Sequence, residues 1–158
     1  MKIGRLAFAL SAAAFVCSAP ALADVASDAA KVESLLTQAG YKYQRTSSKS
    51  VFWVPMKGDN LGDFRVILAT GEELEVMFVV IAKKSEINLT PELTAKMLYE
   101  NHDLDRVKVG IDDDGDAFVR TDSSVRVMDA QELKTEIDQV AAAADEVYGK
   151  IKPFLKTK

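Results

Sequence analysis

The chain has 158 residues, 20 basic against 24 acidic side chains, one cysteine, one histidine and a net charge of −4. An acidic balance with no arginine–lysine stripe argues against nucleic acid or anionic lipid as the partner. A single cysteine closes no internal disulfide, so stability has to come from packing.

Met1–Ala23 has the three parts of a secretory signal. Lys2 and Arg5 form a basic head, Leu6 to Val16 is uncharged and apolar, and Ala21-Leu22-Ala23 offers small residues to a signal peptidase. The apolar run is short of the ~20 residues that a membrane-spanning helix needs, and no later stretch supplies them. Phe15-Val16 ahead of Cys17 do not suit lipid attachment. The expected product is therefore residues 24–158, periplasmic or secreted, without stable membrane insertion. Cleavage removes the cysteine and leaves 18 basic against 24 acidic residues. One domain of this size buries roughly two thirds of its unfolded surface and needs no metal or covalent staple.

The first element of that domain is a helix over Ser27 to Ala39. Val25, Ala29, Val32, Leu35, Leu36 and Ala39 fall on one stripe at helical spacing, and Gly40 supplies the stop. Tyr41 to Arg45 reads as extended. Three strands follow over Val51 to Met56, Phe64 to Ala69 and Leu74 to Ile81, with turns at Lys57-Gly58-Asp59-Asn60 and Thr70-Gly71-Glu72. The third strand is apolar on both faces, Leu74, Val76, Phe78 and Val80 on one and Met77, Val79 and Ile81 on the other. Such a strand wants cover on both sides or a partner.

Thr90-Pro91 opens a second helix reaching about Asn101, with Leu93, Met97 and Leu98 as its inner stripe. Strands over Arg106 to Ile111 and Ala117 to Thr121 meet across Asp112-Asp113-Asp114-Gly115-Asp116, a hairpin signal. Asp129 with Glu132 reads as a capping box for the last helix, which carries Leu133, Ile137, Val140, Ala144, Val147 and Ile151 inward until Pro153. No linker or repeat divides the chain. The order α-β-β-β-(β)-α-β-β-α predicts an α+β domain, an antiparallel sheet with packed helices.

Reactive groups are scarce. Counted against an EF-hand loop, the Asp112–Asp116 cluster has Gly110 at the first ligand place and Thr121 at the twelfth, so both ends fail and a solvated turn is the simpler account. His102 near a helix C-terminus is explained by the dipole, and it has no recognisable nucleophile to serve. Asn101 reads as a helix stop, and Ser47-Ser48 and Ser123-Ser124 as turn serines. No metal site or cofactor is expected.

Taken in order, several of these pieces resemble the YbjN family. They are Gly40-Tyr41, Pro55-Met56-Lys57-Gly58-Asp59-Asn60, Met97-Leu98-Tyr99-Glu100-Asn101 and Val107-Lys108-Val109-Gly110-Ile111-Asp112 with Asp114-Gly115. The resemblance spans roughly Val32 to Ile151. It implies a single domain with the fold of type III secretion chaperones, often dimeric, that binds polypeptides, has no established catalytic residue and has been described as a sensory-transduction regulator. Those chaperones are cytosolic, so an exported chain cannot inherit a cytosolic chaperone role.

The expected function is a periplasmic, non-enzymatic module that binds a protein segment or its own twin through apolar sheet surface. Val51, Trp53, Pro55, Met77, Val79 and Ile81 are its candidate contact residues. The rival is a small hydrolase or ligand-binding protein using Asp103, Asp105 and Asp112, since paired carboxylates divide acid and base roles. A third alternative is an ion-responsive adaptor built on the acidic hairpin.

Overall fold

The structure, a computed structural model, describes residues 25–156; the secretory signal expected over Met1–Ala23 lies outside the described residues. Its elements are α1 (Val25–Gln38), β1 (Gln44–Arg45), β2 (Val51–Gly58), β3 (Gly62–Thr70), β4 (Leu74–Ala82), α2 (Pro91–Asp103), β5 (Lys108–Ile111), β6 (Ala117–Ser124), α3 (Ala130–Ile151) and a short 3-10 turn (Lys152–Phe154). The six strands form one sheet in the order β1-β2-β3-β4-β6-β5, every neighbour antiparallel. This is the α+β architecture that the periodicities predict.

Alternation decides what the sheet buries. Phe52 and Val54 of β2, Val66 and Leu68 of β3, Met77, Val79 and Ile81 of β4, Val109 of β5 and Val119 of β6 join one buried cluster. α1 adds Ala29, Val32, Leu35 and Leu36 to it, and the 22-residue α3 adds Leu133, Ile137, Val140, Ala144, Val147 and Ile151. α2 contributes Leu93 and Met97, and its main sheet contact is with β5. Leu98, expected on that inner stripe, is instead 72 % exposed. The buried positions step from Leu93 to Met97 to Glu100, and Leu98 lies one residue off that line.

The helix ends follow local chemistry. Thr90 Oγ1 accepts from Leu93 N at 3.2 Å, and an Asp129 carboxylate oxygen accepts from Glu132 N at 2.8 Å. Only this half of the Asp129–Glu132 box forms, because the Glu132 carboxylate is taken by Arg106. Gly40 closes α1 with φ +80°, the left-handed stop the sequence requires.

Two polar clamps set the geometry of the sheet. Asp145 of α3 accepts backbone N–H groups from Asp59, Asn60 and Leu61 at 2.7–3.2 Å, tying the β2–β3 turn to the helix. A Cβ on Gly58 would sit 2.1 Å from Asp145 Oδ1, so glycine is needed for the approach. At the opposite edge, Asn101 of α2 acts as a strand partner. Its Oδ1 accepts from Val109 N at 2.7 Å, and its Nδ2 donates to Val109 O at 3.0 Å and Met97 O at 3.2 Å. Asn101 lies inside the helix and locks it to β5; it is not the stop.

Among the buried acidic residues Glu75, Glu100, Asp116 and Glu136, the fully buried Glu75 of β4 is the one with no bonded partner for either carboxylate oxygen. Burial above all pushes its pKa up to about 8, with Asp28 of α1 and Glu136 of α3 adding to the rise.

Candidate functional site

The opposite face of the sheet lies outside the buried cluster. Val51, Trp53 and Pro55 of β2 share it with Arg65, Ile67 and Ala69 of β3, with Val76, Phe78 and Val80 of β4 and with Phe118, Arg120 and Asp122 of β6. Cross-strand register brings these residues together. Trp53 is opposite Ile67, Ile67 opposite Phe78, and Phe78 opposite Arg120. Val51, Ala69, Val76 and Asp122 form a second row, and Val80 is opposite Phe118. Most of these side chains are half-buried by one another, a continuous apolar surface with Pro55 and Leu74 exposed at its margins.

The six expected contact residues do not share a face. Val51, Trp53 and Pro55 lie on the open side, whereas Met77, Val79 and Ile81 are buried on the helix side. Turn length supplies the reason. Three residues separate Gly58 from its partner Gly62, which keeps odd-numbered positions on the open face. Four residues separate Thr70 from Glu75, so in β4 the even-numbered Val76, Phe78 and Val80 come outward. The sequence shows Phe78 on one side of a two-faced strand and places Ile67 and Phe118 in recognisable strands. Only the turn count would have assigned them to this face.

Charge on the face is concentrated and basic. The Arg65 guanidinium carbon lies 5.6 Å from the centroid of the Trp53 ring. Arg120 bonds Asp122 at 2.5–2.9 Å, and Lys108 pairs with the same carboxylate. Both contacts hold the Asp122 pKa below the usual carboxylate range, against desolvation, which raises it. Together Arg65, Lys108 and Arg120 exceed Asp122 by two positive charges, while the whole chain is acidic. Gly110 is opposite Phe118, and a Cβ there would meet the ring's Cζ at 2.6 Å, so the tip of the phenyl ring occupies the space over the glycine.

The other candidates fall elsewhere. Asp103, Asp105 and Asp112 are exposed, and none lines the clefts of about 820 and 470 Å³. In the acidic hairpin, Asp112 Oδ1 accepts from Asp116 N, and the Asp116 carboxylate takes Lys83 Nζ at 2.6 Å and Lys84 N at 2.8 Å. These acids close the turn and pin the end of β4. Among the described residues no three His, Cys, Asp or Glu side chains gather as a metal site, and no helix is long and apolar enough to cross a membrane. His102 is exposed in the last turn of α2. That helix also displays Leu98 and Tyr99, the latter 75 % exposed.

A family model for YbjN, described as "Putative bacterial sensory transduction regulator", matches residues 28–153. No curated protein matches the sequence. Among solved structures, YbjN from E. coli aligns with a TM-score of 0.60 at 14% identity, covering 81% of this chain and 95% of that one. A chain of the heterodimeric ExoU–SpcU complex from the type III secretion system of Pseudomonas aeruginosa aligns with a TM-score of 0.53 at 15% identity, covering 79% and 98%. At these identities the likeness is one of fold.

Proposed function

This chain belongs to the YbjN family, and from that premise we propose that it is a non-enzymatic protein-binding module that works outside the cytoplasm and holds its partner on the open sheet face. The observation that carries the proposal is the Trp53–Ile67–Phe78 row, flanked by Val76, Val80 and Phe118 and bordered by Arg65, Arg120 and Lys108. Packed aromatic and aliphatic residues beside arginine are the composition of binding hot spots. The net basic border suits an apolar segment that carries carboxylates. The ExoU–SpcU neighbour, a complex of two proteins, supports a fold suited to binding a polypeptide. The Met1–Ala23 leader supports action in the periplasm or beyond it.

The face is tested by placing a photo-crosslinking amino acid at Phe78 or, as a control, at the exposed Ala142 of α3 in living cells. A protein adduct is expected from position 78 and not from 142. No adduct from 78, 67 or 118 would remove the face as a binding surface. Cell fractionation and N-terminal sequencing test the location; a mature chain starting at Asp24 in the periplasmic or secreted fraction is expected, and retention of Met1 in the cytosol refutes it. Exposed Leu98 and Tyr99 offer a second copy a separate surface, and light scattering of the Leu98→Glu variant against the parent shows whether it is used.

A further inference from the structure

We infer that the bound segment is gripped by its backbone as well as its side chains, as an added strand in a cleft between β3 and β4. This inference rests on the proposed binding face and specifies how it works.

β3 and β4 each have nine residues, yet they pair only from Ile67 with Phe78 to Thr70 with Glu75. Beyond Phe78 the register would set Val66 against Val79 and Arg65 against Val80, but neither pair forms. Gly62–Val66 is laddered to β2 alone, and Val80 and Ala82 are laddered to β6 alone. Two causes separate the strands. An irregularity between Val80 and Ala82 leaves Ile81 unpaired with β6, and a bulge of this kind bends its strand. On the other wall, Asp145 draws the β2–β3 turn toward α3.

The result is a cleft of about 820 Å³, and its walls include Phe64 and Arg65 of β3, Val80 and Ile81 of β4, and Tyr148 and Leu155 behind them. Its strand walls carry backbone N–H and C=O groups with no ladder partner across the gap. A polypeptide matches that row of alternating donors and acceptors, whereas an acyl chain leaves it unmet. Five residues of wall, Gly62–Val66, span roughly 16 Å at strand rise. An inserted strand runs antiparallel to one wall and parallel to the other. Alternate side chains then point toward Phe64 and Tyr148, and the rest emerge on the open face beside Ile67 and Arg65. Arg65 has no carboxylate partner among the described residues and sits at that mouth, so an acidic residue on the outward side completes the fit. The occupant is therefore an extended segment of another protein, apolar at alternate positions and acidic between them.

The test uses heptapeptides selected from a random display library on the folded domain, titrated against ¹⁵N-labelled protein. Amides of Gly62–Val66 and Val79–Ala82 are expected to shift and to gain exchange protection. N-methylation at alternate backbone positions of the same peptide is expected to weaken binding at least tenfold. Equal binding of the N-methylated peptide, with shifts confined to Trp53, Phe78 and Phe118, overturns the inserted strand and leaves the binding face standing. Selected peptides that perturb neither region overturn both. Oleate filling the cleft where no peptide does reassigns it to an acyl chain, and wall protection that grows with protein concentration alone reassigns it to a second copy; either result overturns the inference.

Discussion

Replacing Glu75 with glutamine should flatten the pH dependence of stability over much of the neutral range. Glu75 is buried on β4, with neither carboxylate oxygen hydrogen-bonded. Thr70 of β3 stands close enough to offset part of the rise in its pKa, while Asp28 of α1 and Glu136 of α3 increase it. Ser123, opposite in register on β6, is bonded to Glu136, whose other partner is Arg106 at 2.9 Å. Nothing nearby neutralises an ionised Glu75. Its pKa rises from 4.5 unfolded to about 8 folded, so between those values the native state holds a proton that the unfolded chain releases. The Glu75 contribution to stability is therefore fully present below pH 4.5 and is lost as pH rises to about 8. At 1.36 kcal/mol per pH unit the full loss is on the order of 5 kcal/mol, a large share of a small domain's ~5–15 kcal/mol. Glu136, also raised chiefly by burial, adds to the same slope. Urea unfolding followed by far-ultraviolet circular dichroism at intervals from pH 5 to 9 measures it. The parent should lose several kcal/mol across that range, and Glu75→Gln should flatten most of the slope. Equal slopes in the two proteins, or a parent that gains stability from pH 5 to 8, would refute the reasoning.

Other substitutions probe the clamps and the face. Asn101→Ala removes three hydrogen bonds and leaves both backbone groups of Val109 unmet, so stability should fall by about 1–3 kcal/mol, with β5 amides exchanging faster by NMR. Gly110→Ala places a methyl 2.6 Å from the Phe118 ring; denaturant unfolding should show a loss of about 1–3 kcal/mol, and the Phe118 ring resonances should shift. Asp145→Asn keeps the shape and loses the charge that three backbone N–H groups stabilise. Its melting temperature at pH 7 should drop by several degrees, and the gap to the parent should close as pH falls through the depressed Asp145 pKa. Arg65→Glu reverses the charge beside Trp53 and should weaken acidic selected peptides more than neutral ones by isothermal titration, without changing the fold.

The elements were legible because their signals are local. Gly40 for the end of α1, Thr90-Pro91 for the start of α2 and the 3.6-residue stripe of α3 each act within a few residues. The face assignment of β4 was not legible from the strand itself, and its charge pattern misleads. Glu75 shares a face with Met77, Val79 and Ile81, so a charged residue marks as outward the very side that is buried, while Leu74 on the other side is 49 % exposed. Only the turn on each side of β3, one odd and one even in length, fixes the parity. Asn101 and Asp145 were missed for a related reason. Their partners lie 8 and about 85 positions away, on backbone groups that carry no sequence signature. The glycine in Lys57-Gly58-Asp59-Asn60 was visible, but the carboxylate that requires it was not.

The same clamps explain why this sheet keeps an open face. α1 and α3 add their apolar stripes to the cluster on one side, and that side is full. α2 is the one remaining helix among the described residues that could cross the sheet to cover Trp53, Ile67 and Phe78. It is held at the β5 edge instead by Asn101, and its outward residues include Leu98 and Tyr99, with no second apolar stripe for the open face. Asn101, together with Leu93 and Met97 in the buried cluster, keeps α2 off the open face. If Asn101→Leu lets α2 swing onto the face, crosslinking from position 78 should vanish even though no residue of the face has changed. If crosslinking instead persists while α2 amides become mobile, the helix was never a competitor for that surface, and the sheet's own mutual packing is what keeps it exposed.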